Sequence, residues 1–174
     1  MEQRKRSYTA ELDGLPDDLA ELDAWVSEHE GALPLKPDNE ARIVWNDQSR
    51  PCRTAFSIVY LHGLTASQGD GSPQHLRLAK HFGCNLFLAR LPGHGSDQDE
   101  AMRGLTGLQL VGAAMDALTL GERLGNKVIL IGTSLGASLS ILLAATYPAE
   151  IAAVIAWSPS EGWPANGRKR SLSA

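Results

Sequence analysis

Cysteine is scarce in this chain: Cys52 and Cys84 are the only two in 174 residues, and they lack metal-ligand spacing. That excludes a disulfide-stapled scaffold. Both thiols, lying in or near strand-like segments, are read as reduced packing residues. A surplus of positive charge is missing as well. Sixteen Lys and Arg against twenty Asp and Glu leave a net charge of −4, so no broad electropositive field exists to hold a nucleic-acid backbone. The basic clusters Arg4-Lys5-Arg6 and Arg168-Lys169-Arg170 sit at the termini and read as solvated tails.

Long apolar runs are absent too. Gly132, Gly136, Pro148 and Glu150 break the most hydrophobic stretch, Val128 to Trp157, into pieces too short to span a bilayer. Met1 to Asp18 is charged and has no apolar core of signal-peptide length, which points to the cytoplasm. His29, His75 and His81 have no ligand partner at i+3 or i+4 and are assigned to solvated helix faces, so neither a metal nor another cofactor is expected. One absence falls late in the chain: no histidine follows His94, and no aspartate follows Asp116.

What is present suffices for a folded domain. With 43% hydrophobic and 21% charged residues, a chain of this length buries roughly 70% of its unfolded surface. Leu19, Leu22, Trp25 and Val26 recur at helical spacing behind the acidic start Asp17-Asp18, predicting a short helix to about His29. Arg42 to Trp45 reads as a short strand. Ala55 to Leu61 is rich in β-branched and aromatic residues and ends at His62-Gly63, as a buried strand feeding a loop would.

A helix over Pro73 to Phe82 follows, then a strand from Asn85 to Leu91. Leu105, Leu108, Val111, Met115 and Leu118 give a long amphipathic helix ending near Gly125. Lys127 to Ile131 is the next strand, Ser134 to Tyr147 a helix stopped by Pro148, and Ile151 to Trp157 a last apolar strand. Strands alternating with helices, each strand apolar on both faces, predict an α/β fold: a mostly parallel sheet with helices on both faces. Reactive groups in such sheets gather at the carboxyl ends of the strands.

One such end carries Gly132-Thr133-Ser134-Leu135-Gly136. A bare G-x-S-x-G is weak evidence, but here it follows a strand and opens a helix, the setting the motif requires. The glycines allow a tight turn, the hydroxyl is held up at the sheet edge, and the helix N-terminus offers N–H groups to a developing oxyanion. The plainer alternative makes Ser134 a helix N-cap.

His62-Gly63-Leu64 follows the first buried strand, and Leu91-Pro92-Gly93-His94-Gly95 follows the second. With Gly132 to Gly136 they resemble the α/β-hydrolase superfamily, in order and in placement, over about residues 42–159. The flavour is that of single-domain bacterial esterases, monoacylglycerol-lipase-like enzymes and serine aminopeptidases. The resemblance implies that Ser134 is the acylated nucleophile and that the backbone N–H groups of Leu64 and Leu135 form the oxyanion hole, supported by His62, Gly63, Gly132 and Gly136. It also implies a loop-positioning part for His62 and a structural one for His94. Arg90 stands where the family often has Asp, a departure that bears on the subfamily.

In this superfamily an acid and then a histidine follow the serine. Here only Glu150 and Glu161 follow it as acids, and no histidine does. The chain is therefore expected to be truncated or to end in a shifted frame: an N-terminal helix and linker (1–41), a partial α/β-hydrolase domain (42–159) and an irregular polar tail (160–174). The leading expectation is a serine hydrolase of a small carboxylic ester, or less readily an amide, impaired by the missing residues. The competing one is a catalytically silent binding or interaction module. The last apolar strand, left at an edge, is expected to promote self-association.

Overall fold

The computed structural model describes Leu12 and residues 14–160. The irregular tail, apart from Ser160, and both basic clusters lie outside these residues.

Asp18 caps the first helix, α1 (Leu19–Gly31), by accepting from the Ala20 N–H at 2.9 Å. Leu22 and Val26 of α1 are buried. A short strand β1 (Arg42–Val44) and the long strand β2 (Thr54–Leu61) follow, then a one-turn 3₁₀ segment, Gln68–Gly71. Helix α2 (Gln74–Phe82) ends on Gly83 in the left-handed conformation, φ 61°. Strand β3 (Asn85–Leu88), helix α3 (Gly107–Leu124), strand β4 (Gly125–Thr133), helix α4 (Leu135–Thr146) and strand β5 (Ile151–Trp157) come next. Thr106 and Gln109 form a reciprocal capping box at the start of α3.

The five strands lie in the order β1-β3-β2-β4-β5. Strand β1 runs antiparallel to β3, and every other pairing is parallel. Odd and even strand positions face opposite sides, so the sheet divides the core in two. Val59, Leu61, Phe87, Val128 and Leu130 pack beneath α1, α3 and α4. Ile58, Tyr60, Leu86, Leu88 and Ile131 pack beneath α2. The expected mostly parallel sheet with helices on both faces is the observed architecture, with three helices on one side and one on the other.

Four details depart from the sequence reading. Strand β3 stops at Leu88 instead of Leu91, because the Leu91 N–H turns to the ring of His62. Strand β4 runs from Gly125 to Thr133 because β2 pairs with it from Thr54↔Gly125 to Leu61↔Gly132. Strand β5 is not buried on both faces: among the described residues it pairs only with β4, and Ala152, Ala153 and Ala156 are exposed. Of the two cysteines, Cys84 is buried and packs as expected, whereas Cys52 is exposed in the loop leading to β2.

Candidate active site

Because β2, β3, β4 and β5 are parallel, their carboxyl ends lie along one edge of the sheet, and His62-Gly63-Leu64, Leu91 to Gly95, Ser134 and Trp157 to Ser160 meet there. Ser134 is half-buried and has φ 50° and ψ −111°, a conformation an L-residue rarely adopts. The surroundings over-determine it. Its N–H donates to the Trp157 carbonyl at 2.9 Å, and its own carbonyl accepts from the Ser138 N–H at 3.1 Å. Ser134 does not act as a side-chain N-cap: no hydrogen bond of its hydroxyl closes the first turn of α4.

The two motif glycines are required by close approach. A Cβ at Gly132 would lie 2.3 Å from the Gly136 carbonyl oxygen, and one at Gly136 would lie 1.9 Å from the carbonyl oxygen of Leu61. No real Cβ tolerates such contacts, so α4 sits directly on the end of β2 only because both side chains are absent.

The loop after β2 is fixed by two histidines. His62 is fully buried; its Nε2 accepts from the Leu91 N–H at 3.0 Å, so its Nδ1–H donates to the Gly63 carbonyl at 2.8 Å. Burial foremost pushes its pKa down to about 4, with the Gly63 hydrogen bond opposing and the nearby His94 reinforcing. His62 is therefore neutral. The Gly63 carbonyl also accepts from the Ala66 N–H at 3.2 Å, and a planar peptide held at its oxygen aims the Leu64 N–H on the opposite side. That N–H donates to no backbone acceptor among the described residues. His94 lies between the Pro92 and Leu64 carbonyls, at 2.9 and 2.5 Å. Leu135, the first residue of α4, has an N–H without an acceptor inside the helix.

No histidine ring is hydrogen-bonded to Ser134 among the described residues. Among the described residues its Oγ has one side-chain hydrogen-bonding neighbour, Ser160 Oγ at 3.4 Å. His75, expected on a solvated helix face, is instead buried: its Nδ1 accepts from the Leu76 N–H, its Nε2–H donates to the Gln68 carbonyl, and burial lowers its pKa. Helical spacing hid this, because the residues around it come from the 3₁₀ turn and from Tyr60. His29 and His81 are exposed as expected. Arg90 forms a two-point ion pair with Glu30 of α1, Nε–Oε2 at 2.7 Å and Nη2–Oε1 at 3.1 Å.

Sequence reasoning missed Asp70. Its carboxylate accepts from the Gly63 N–H at 3.3 Å and from the Tyr60 hydroxyl, beside the serine. A lone acid in a turn rich in Gly and Ser carries no signal in one dimension. Beside this edge opens a cleft of about 350 Å³, lined by Thr65, Ala66, His94, Ser96, Gln98 and Met102 among others.

The alpha/beta hydrolase family matches residues 58–173. Among solved structures, one reported with the metagenome-derived lipolytic enzymes LipS and LipT superposes with a TM-score of 0.59 at 20% identity, over 69% of this chain and 45% of that one. Est1E from Butyrivibrio proteoclasticus, solved with ferulic acid, gives a TM-score of 0.54 at 19% identity, over 69% and 48%. A monoacylglycerol lipase from Paleococcus ferrophilus gives 0.52 at 29% identity, over 68% and 42%. The chain thus spans less than half the length of these structures. No curated protein matches the sequence. Among the described residues no helix is long and apolar enough to cross a membrane. The family match over two-thirds of the sequence agrees with the sheet order and with a strained serine at the strand-to-helix turn: the chain belongs to the alpha/beta hydrolase family.

Proposed function

We propose that these residues carry the nucleophile half of a serine hydrolase site that cleaves a small carboxylic ester, or less readily an amide, through an acyl-serine intermediate. Ser134 is the nucleophile, standing on a nucleophile elbow, and the Leu64 and Leu135 N–H groups form the oxyanion hole. The observation that carries this reading is the strained backbone of Ser134 at the mouth of the sheet, held between two chain segments and next to a helix N-terminus. The neighbouring cleft of about 350 Å³, with hydroxyl, amide and methionine groups and the Glu100 carboxylate on its walls, is of a size for a small molecule.

Among the described residues no histidine is hydrogen-bonded to the serine. An unassisted serine hydroxyl is a poor nucleophile at neutral pH, and the rings of His62, His75 and His94 are engaged with backbone groups. Removing the histidine from a protease triad costs on the order of a millionfold in turnover. The chain by itself is accordingly expected to be impaired. The same engagement of the histidines favours a second reading, a catalytically silent binding module using the same cleft.

Incubation of the purified chain with a fluorophosphonate probe and with p-nitrophenyl acetate separates the two. Labelling and turnover that disappear in Ser134→Ala support the hydrolase. Stabilisation by small esters with no labelling of Ser134 supports the silent module.

A further inference from the structure

Asp70 lies in the 3₁₀ turn Gln68–Gly71, and both of its carboxylate oxygens are engaged although the residue itself is exposed. One oxygen accepts from the Tyr60 hydroxyl and the other from the Gly63 N–H at 3.3 Å. The turn is pressed onto Tyr60: a Cβ at Gly71 would come within 2.6 Å of the tyrosine ring and of His75. Tyr60 is fully buried on β2. Burial first, and the Asp70 hydrogen bond second, push its phenol above the ordinary range, so it stays protonated. Its single proton goes to Asp70. The 2.9 Å contact between Tyr60 Oη and Thr133 Oγ1 therefore has Thr133 as its donor.

The bonds have a direction: Thr133 donates to Tyr60, Tyr60 to Asp70, and Gly63 to Asp70 from the other side. Thr133 immediately precedes the serine, and Gly63 immediately precedes Leu64. The two ends are close, because a Cβ at Gly63 would lie 3.6 Å from the Asp70 carboxylate and 3.7 Å from Ser134 Cβ. The peptide on one side of Gly63 is held by Asp70 and the peptide on the other side by His62.

We propose that Asp70 is a positioning residue of the Ser134 site, joining the serine's strand end to the loop that carries the Leu64 N–H through the directed chain Thr133–Tyr60–Asp70–Gly63. This deepens the hydrolase reading and rests on it. The carboxylate is essential because it alone accepts at both oxygens. In Asp70→Asn, one of the two donors faces an NH₂ group instead of an oxygen.

The test uses the full chain and two readouts, the rate of fluorophosphonate labelling at Ser134 and the amide signals of Gly63 and Ser134 in ¹H–¹⁵N spectra. Asp70→Asn and Thr133→Val are expected to slow labelling about ten- to a hundredfold, as displacement of a positioned group does. Thr133→Ser, which keeps the donor, restores it. A folded Asp70→Asn is expected to shift both amide signals. Rates in Asp70→Asn and Thr133→Val equal to wild type overturn the proposal. So does a Thr133→Ser variant as slow as Thr133→Val, which marks a packing role for the threonine. Where the impaired wild-type chain labels too slowly to compare, the amides judge the network: a shift at Ser134 in Asp70→Asn supports it, and an unmoved signal overturns it.

Discussion

The serine at residue 134 is held at positive φ by its neighbours, and such a conformation costs about 1–3 kcal/mol wherever it occurs. That cost is offset by the fit of α4 on β2, which only glycine at 132 and 136 permits. His62 illustrates the same coupling of position and chemistry. Its ring serves two backbone groups and stays neutral, with a pKa near 4 against 6.5 for the free side chain. Between those values the unfolded chain binds the extra proton, so stability rises with pH through this window and the contribution is fully present above about 6.5. Acidification from pH 6.5 to 4 is expected to remove about 3 kcal/mol through this ring, the free-energy equivalent of the pKa difference. His94, Asp70 and Arg90 act on the same ring, so urea unfolding of wild type is compared with that of His62→Gln. Equal pH slopes for the two proteins would refute the assignment.

At the scale of elements, the ion pair between Arg90 and Glu30 ties α1 to the segment after β3. Glu30 Oε2 also accepts from the Ala41 N–H at 2.8 Å, so one carboxylate joins a helix, the approach to β1 and the rim of the site. The two side chains retain only 11% and 13% exposure. Glu30→Ala is therefore expected to destabilise the fold by about 2–3 kcal/mol, just under the cost of breaking a fully buried pair. A change below 0.5 kcal/mol in urea unfolding, on the scale of an exposed pair, would refute this. Here Arg90 does structural work that the departure from the family's usual Asp leaves unannounced in one dimension.

For the whole molecule, the sheet is covered unevenly. Among the described residues strand β5 forms one edge; it carries no charged residue from Ile151 to Trp157 and leaves Ala152, Ala153 and Ala156 exposed. Ile141 and Leu142 of α4 are exposed as well, at 47% and 45%. Unpaired N–H and C=O groups along an uncharged apolar edge are a template for another strand. We propose that the 174-residue chain self-associates by pairing β5 with β5 of a second copy. Light scattering at micromolar concentration should report a species larger than the monomer, and Ala153→Lys should reduce it. A monodisperse monomer would end this proposal.

Much of the architecture was legible in one dimension. Apolar runs of strand length, the long amphipathic period of α3 and the glycine punctuation around Ser134 are local patterns, and local backbone preferences follow directly from them. They determined the alternation of strands and helices, the parallel sheet and the place of the serine at a strand end. Tertiary structure decided the rest, because it depends on which residues distant in sequence become neighbours. It buried His75 and exposed Cys52, left β5 beside β4 alone among the described residues, and turned the Leu91 N–H out of the sheet ladder toward His62. It also brought Asp70, Tyr60, Gly63 and Thr133 together beside Ser134: a carboxylate gains its partners from the packing of a turn onto a sheet, a contact that sequence spacing does not encode.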